Sequence, residues 1–243
     1  MKYLWKGGLI LLENKNIRVF LIGGNSLVGN AILEGIRLRY KNIKVVKIVR
    51  NVNNSEDGLI KVKDYKDSIR EIKKIIDDDF ENIFILSFGI LNEEAIQNNR
   101  LENLIKHIEI NSYSPIHIFN QIKRLDNLSE VHIVSSILSG FFRPSVGSYS
   151  ISKYILSKTL QIEIFLDGKI KDKLFVWNPA FVNSKLNEGR SPFILKTSYK
   201  NIVKKVSSKT TGGFYYIPSY SYFLVKISSL FQEVLTKIDK KTS

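Results

Sequence analysis

The chain has 243 residues, 44% of them apolar and 25% charged, and no cysteine. That composition supports a packed core and excludes a disordered or collagen-like chain, a disulfide scaffold, thiolate catalysis, zinc–thiolate sites and iron–sulfur clusters. Lys and Arg outnumber Asp and Glu by 37 to 23, a net charge of +14, half of it from residues 191–243; this fits either an anionic partner or a lysine-rich solvated surface.

Residues 1–16 place basic residues before a short apolar run but lack a convincing signal-peptide hydrophobic region and cleavage site. No stretch reaches the roughly 18–20 apolar residues needed to span a bilayer. The expectation is a leader over 1–16, one domain over 17–217 and an amphipathic, basic tail over 218–243, in a cytoplasmic protein.

Within the domain, short apolar runs alternate with helical patterns, which predicts a doubly wound α/β fold on a parallel sheet of about seven strands. Strands are expected at 17–22, 43–48, 59–62, 83–87, 131–135, 174–178 and 214–217. Helices are expected at 31–39, 68–78, 99–123, from Tyr149 onward, in a basic segment ending near 207, and at the C-terminus.

The first strand runs into Ile22-Gly23-Gly24-Asn25-Ser26-Leu27-Val28-Gly29. Glycines at a strand-to-helix turn let the backbone approach a pyrophosphate, and the helix start offers free N–H groups and partial positive charge. After the second strand the run Lys47-Ile48-Val49-Arg50-Asn51 contains no acid. Arg50 suits the 2′-phosphate of NADP or is one more solvated base, so NAD and NADP both stay open.

Tyr149-Ser150-Ile151-Ser152-Lys153 opens a later helix, and the i, i+4 spacing puts Tyr149 and Lys153 on one face. A neighbouring ammonium favours a phenolate and is expected to lower the Tyr149 pKa, making it a proton donor or acceptor. Ser136, just past the fifth strand, places a hydroxyl where it can hold a substrate carbonyl. His107, His117 and His132 lack metal-ligand spacing, the acidic run Asp77-Asp78-Asp79 reads as a solvated helix end, and no metal is expected.

With Ser136, Tyr149 and Lys153 downstream of the glycine turn, the sequence resembles the short-chain dehydrogenase/reductase superfamily from about residue 17 to 217. The family's T-G-x-x-x-G-x-G is matched by residues 22–29, with Leu27 replacing the middle glycine. Its N-N-A-G is matched by Leu86-Ser87-Phe88-Gly89, its helix asparagine by Asn111, and its P-G-x-x-x-T by Pro179-Ala180-Phe181-Val182-Asn183-Ser184. The resemblance implies NAD(P)H as cofactor. It implies an adenine contact from Asp64, and cofactor contacts from Gly23, Asn25, Ser26, Leu27, Val28, Tyr65, Ser87, Phe88, Gly89 and Pro179. It also implies the Val182 backbone and Ser184 on the carboxamide, Lys153 on the nicotinamide ribose, and Asn111 holding a water that links Lys153 to solvent.

GGNSLVG, LSFGIL, the EIN around Asn111 and the aromatic tail resemble one branch, the reductase half of decaprenylphosphoryl-β-D-ribose 2-epimerase. That branch implies a 2-keto-pentose on polyprenyl phosphate as substrate, a role in cell-envelope glycan precursors, and a flavin-dependent oxidase as partner. The superfamily implies a homo-oligomer. In the tail, Leu224, Ile227, Phe231, Val234 and Ile238 recur at helical spacing with Lys226, Lys237, Lys240 and Lys241 nearby. Such a stripe lies in a membrane interface, here the inner face, or packs on the domain or a second subunit. Two other functions remain open on sequence: a soluble ketoreductase for an acyl thioester, polyol or nucleotide sugar, and a non-catalytic nucleic-acid-binding or regulatory protein. The intact Ser136, Tyr149 and Lys153 count against the last, and no nucleic acid is expected.

Overall fold

The computed structural model describes residues 4–6, 9–11, 16–50, 58–76, 79–91, 100–187, 196–223 and 225–227. Seven parallel strands form the central sheet: β1 (Ile17–Ile22), β2 (Ile43–Val49), β3 (Leu59–Lys61), β4 (Glu81–Leu86), β5 (Leu128–Val134), β6 (Leu174–Pro179) and β7 (Gly213–Ile217). Their spatial order is β3-β2-β1-β4-β5-β6-β7, so the chain reverses direction of winding between β1 and β4. The connecting helices are α1 (Leu27–Arg37), α2 (Ser68–Lys73), α3 (Arg100–Ile108), α4 (Ser114–Ile122), α5 (Gly147–Leu166), α6 (Gly168–Lys171) and α7 (Tyr199–Ser207).

The central strands are mostly apolar because both faces of the sheet are covered, with buried exceptions such as Arg18, Glu130, His132 and Asn178. On β1, Phe20 and Ile22 join a core closed by Ile118 and Phe119 of α4 and Leu156 and Leu160 of α5. Val19 and Leu21 point the other way, toward Ile32 and Ile36 of α1 and Ile202 and Val206 of α7. Gly35 lets α1 and α7 close on each other, since a Cβ there would stand 2.6 Å from Val206 Cβ.

The same face holds a buried polar network. Glu130 accepts hydrogen bonds from Arg39, from the Tyr40 hydroxyl at 2.8 Å and from His132 Nε2 at 2.7 Å. Trp177 Nε1 donates to His132 Nδ1 at 3.0 Å. An indole N–H only donates, so the His132 proton sits on Nε2, facing the carboxylate. Arg39 also donates to the Lys209 carbonyl at 2.7 Å, tying α1 to the turn after α7.

The expected single helix over 99–123 is interrupted. Its described part is α3 and α4 joined by a five-residue π turn, Glu109–Tyr113, closed by the Ser114 N–H on the Glu109 carbonyl. Pro115 lacks an N–H to give back to residue 111, and the ladder loosens at that point. The expected 68–78 helix ends earlier, at Lys73, and Asp77 and Asp78 lie outside the described residues. The leader carries a two-stranded antiparallel ladder, Leu4–Lys6 with Leu9–Leu11, which the sequence reading did not anticipate.

Past β7, the described tail folds onto the domain. Ser221 is fully buried, Tyr216 and Tyr222 rings meet at 5.3 Å, and Lys205 Nζ donates to Ser219 Oγ at 2.7 Å. Of the apolar stripe only Ile227 is described; Leu224, Phe231, Val234 and Ile238, with Lys237, Lys240 and Lys241, lie outside. No helix among the described residues is long and apolar enough to cross a membrane.

Candidate active site

Ligands of open α/β sheets bind beyond the carboxyl ends of the strands, where the winding reverses. A cavity of about 880 Å³ opens there, bounded by the loops after β1, β2, β4, β5 and β6.

The glycine turn forms one end. Gly23 takes a φ of +91°, and a Cβ on it would fall 2.4 Å from the Ser87 carbonyl oxygen, so only glycine fits. Ser26 caps α1 by accepting from Gly29 N at 3.2 Å, and its hydroxyl meets the Ser87 hydroxyl at 2.7 Å. Asn30 Nδ2 donates to the carbonyls of Gly24 and Ser26 and fixes the turn. Gly23, Asn25, Ser26, Leu27 and Val28 all line the cavity. Ser26 thus fills the helix cap and Leu27 begins the helix.

Arg50 lies with its guanidinium 4.8 Å from the Tyr65 ring, and Tyr65 stacks on Phe88 at 4.3 Å. Arg50, Tyr65, Ser87, Phe88 and Gly89 line the cavity as well. Asp64 does not: its carboxylate accepts from Lys66 N at 2.9 Å, capping the turn that leads to α2.

At the centre, Ser136 follows β5 and starts a short 3-10 turn, accepting from Leu138 N at 3.2 Å. Tyr149 and Lys153 lie one turn apart on α5, both nearly inaccessible, with Lys153 Nζ 5.8 Å from the Tyr149 ring centre. Lys153 Nζ donates to the Val134 carbonyl at 3.1 Å. Burial pushes the Tyr149 phenol up to about 12, opposed by a hydrogen bond with Ser136. Burial pushes Lys153 down to about 8. The lowering of Tyr149 expected from Lys153 is therefore reversed, because desolvation penalises the charged form of each group.

Asn111 sits fully buried in the π turn, a geometry that recurs at functional sites. It donates from Nδ2 to the Ile90 carbonyl at 2.9 Å and to Ser152 Oγ at 3.1 Å, and accepts from Ile90 N at 2.8 Å. It clamps the loop after β4 to α5 behind the cavity. A Cβ on Gly89 would stand 2.8 Å from Asn111 Oδ1 and 3.9 Å from Lys153 Nζ, so the three converge.

Pro179, Val182 and Ser184 form the far wall. The Val182 carbonyl already accepts from Asn187 Nδ2 at 2.9 Å. Spacing did not single out the remaining wall of the cavity, which includes Leu138, Phe141, Arg143, Val146, Leu186 and Asn187. Among the described residues no three His, Cys, Asp or Glu gather as a metal site.

The donors present fit a dinucleotide: a glycine turn whose backbone a Cβ would obstruct, a helix start behind it, stacked rings for a base, and a lysine for a ribose. The strand order and the site define a Rossmann-type doubly wound domain. No protein-family model matches the sequence and no curated protein matches it. Among solved structures it is similar to a short-chain dehydrogenase from Burkholderia cenocepacia J2315 in complex with NADP, with a TM-score of 0.72 and 16% identity over 91% of this chain and 95% of that one. A short-chain dehydrogenase family protein from Francisella tularensis subsp. tularensis SCHU S4 is also similar, with a TM-score of 0.63 and 20% identity over 84% of this chain and 97% of that one. So is the Thermoplasma acidophilum aldohexose dehydrogenase, with a TM-score of 0.65 and 14% identity over 84% of this chain and 92% of that one. At such identities the likeness establishes a shared fold, and function rests on the site.

Proposed function

We propose that the chain is an NAD(P)H-dependent reductase of the short-chain type that converts a ketone to an alcohol. The observation that carries this is the convergence of Ser136, Tyr149 and Lys153 on one cavity that also receives the glycine turn. NAD(P)H, when bound, supplies the hydride. Ser136 holds the ketone oxygen beside Tyr149. With its phenol at about 12, Tyr149 is protonated at neutral pH and donates that proton to the oxygen. The tyrosinate left behind is stabilised by the Lys153 ammonium and by Ser136, and Lys153 returns the proton. Asn111 keeps α5 and the Gly89 loop in register, which holds Lys153 in place. Gly23 to Val28 seat the pyrophosphate, and Pro179, Val182 and Ser184 bound the nicotinamide. Arg50 over Tyr65, with no Asp or Glu among the described lining residues, favours NADPH over NADH.

The substrate class we propose is a 2-keto-pentose on polyprenyl phosphate, formed by a flavin-dependent oxidase acting before this step. It is supported by the apolar wall of Leu138, Phe141 and Leu186, which suits a lipid-linked sugar better than a bare one. Exposed Tyr220, Tyr222 and Phe223, with Lys226 beside them, support a peripheral contact with the inner face of the membrane. The experiment is NADPH and NADH consumption with polyprenylphosphoryl ribose oxidised in place by a flavoenzyme, for the wild type and Tyr149→Phe. Turnover that vanishes in Tyr149→Phe supports both chemistry and substrate. Turnover only with unrelated ketones keeps the chemistry and refutes the substrate.

A further inference from the structure

We infer that a second cavity, beside the edge strand β7, binds a phosphate group through Lys158, Lys205 and Lys226. The inference stands apart from the reductase reading. The cavity holds about 670 Å³, within the range of small-ligand sites, and no described residue lines both it and the catalytic cavity. Its three described lysines come from separate parts of the chain: α5, α7 and the tail past β7. No Asp or Glu is among its described lining residues.

Each lysine is oriented without being neutralised. Lys158 Nζ donates to Gln161 Oε1 at 3.2 Å and stands 5.5 Å from the Tyr154 ring centre. Lys226 Nζ stands 5.5 Å from the centre of the Tyr222 ring, which meets the Tyr216 ring of β7. Lys205 Nζ donates to Ser219 Oγ at 2.7 Å. A ring face or a neutral oxygen positions an ammonium and leaves its charge in place. Lys205 is half-buried, and burial together with the neighbouring Lys209 ammonium holds it below its ordinary pKa. The side chains beside the lysines add donors. Ser219 accepts from Lys205 and keeps its own O–H to give, and Gln161 offers its oxygen to Lys158 and keeps its NH₂. Like charges gathered round one cavity repel, and an anion among them turns that repulsion into attraction. A phosphate monoester brings roughly 1.5 to 2 negative charges and three terminal oxygens, one for each ammonium, where a carboxylate brings two oxygens. That phosphate is either free or the headgroup of a lipid, since the wall at Tyr222 and Lys226 adjoins the exposed Tyr220 and Phe223.

The test is calorimetric titration of the full chain at neutral pH and low salt, with NADP⁺ at saturation so that the glycine turn is filled. Two probes separate the sources: inorganic phosphate, and monomeric dihexanoylphosphatidic acid with dihexanoylphosphatidylcholine as its net-neutral match. The wild type is expected to bind one of the two phosphate probes about 10- to 100-fold more tightly than Lys205→Gln does, the range for a charged hydrogen-bonded contact. Tighter binding of the phosphatidic acid than of inorganic phosphate and phosphatidylcholine assigns the lipid source; the reverse order assigns a free phosphate. Lys205→Arg should keep the binding. Lys158→Gln combined with Lys226→Gln, both at exposed positions, gives a second loss that does not depend on how Lys205 packs, and melting checks the fold of each variant. Lys41→Gln, outside the cavity, should change nothing. No binding of either probe, or binding that Lys205→Gln and the double variant both leave unchanged, overturns the inference. So does an equal loss in Lys41→Gln, which is the mark of diffuse attraction to a chain of net charge +14. Failure of the reductase reading shows elsewhere, as NADPH consumption indifferent to Tyr149→Phe, and leaves the Lys205 comparison intact.

Discussion

Replacing Glu130 by Gln tests the buried network directly. The substitution keeps the side chain's shape but removes its charge, leaving the Arg39 guanidinium, 3% exposed, without its carboxylate. It also weakens the bonds from Tyr40 at 2.8 Å and His132 at 2.7 Å. Breaking one side of a buried ion pair costs roughly 3–5 kcal/mol. For a chain of this length, at about 2–4 °C per kcal/mol, the melting temperature should fall by roughly 6–20 °C. Denaturant titration and thermal melting at neutral pH measure both quantities. The combined variant Arg39→Met, Glu130→Leu removes both charges and should regain much of the loss of Glu130→Leu alone. A loss below about 1 kcal/mol for Glu130→Gln, or simple additivity in the double variant, would falsify the view that this pair is coupled in the core.

Acid should act through the same residues. Burial raises Glu130, but the His132 bond and Arg39 outweigh it and hold the carboxyl at about 2, below its ordinary 4.5. Its stabilising contribution is therefore present above pH 4.5 and is lost as pH falls toward 2. Burial holds His132 below its ordinary 6.5, so unfolding takes up a proton there too. Melting temperature should begin to fall below pH 6.5 and drop further below 4.5; a flat profile contradicts this. Catalysis should depend on Lys153 at the other end of the scale. With its pKa at about 8, the ammonium that supports the tyrosinate is lost as pH rises through 8. Ketone reduction should decline above that point, a limb absent if Lys153 stays charged. Arg50→Ala should raise KM for NADPH about tenfold while changing KM for NADH little, since only the phosphate contact carries the extra charge-assisted bond; equal effects on both would remove the assigned preference. Gly89→Ala should cost about 1–3 kcal/mol by overpacking, because its Cβ would press on an Asn111 amide already bonded on both sides. Unchanged melting and unchanged turnover would show that the clamp yields.

Much of the layout was legible where the signal was local. Residues 17–22 are apolar on both faces except for the buried Arg18, and form β1 over that span. The glycine turn, Ser136, Tyr149 and Lys153 share one cavity because their spacing follows the strand ends. The break in the 99–123 helix was harder to see, since a one-residue π insertion barely disturbs an i, i+3, i+4 pattern; Pro115 was the available sign. His132 reads as an ordinary strand residue because its partners, Arg39 through Glu130 and Trp177, lie far away in sequence. Arg143 is one base among many, in a loop with no period. The direction of the Tyr149 shift depends on burial, which spacing does not report.

The contact of Val225 with Gly140 makes the last described turn of the chain a wall of the catalytic loop's support. A Cβ on Gly140 would lie 2.1 Å from Val225 Cγ1, so the loop and the tail are fitted to one another without slack. Between that contact and Tyr149 stand Phe141 and Arg143. A chain shortened after β7 would keep its sheet and its glycine turn yet lose the brace on a segment that lines the cavity. Damage at the tail should thus register first as poor substrate discrimination, while nucleotide binding at the opposite end of the cavity stays intact.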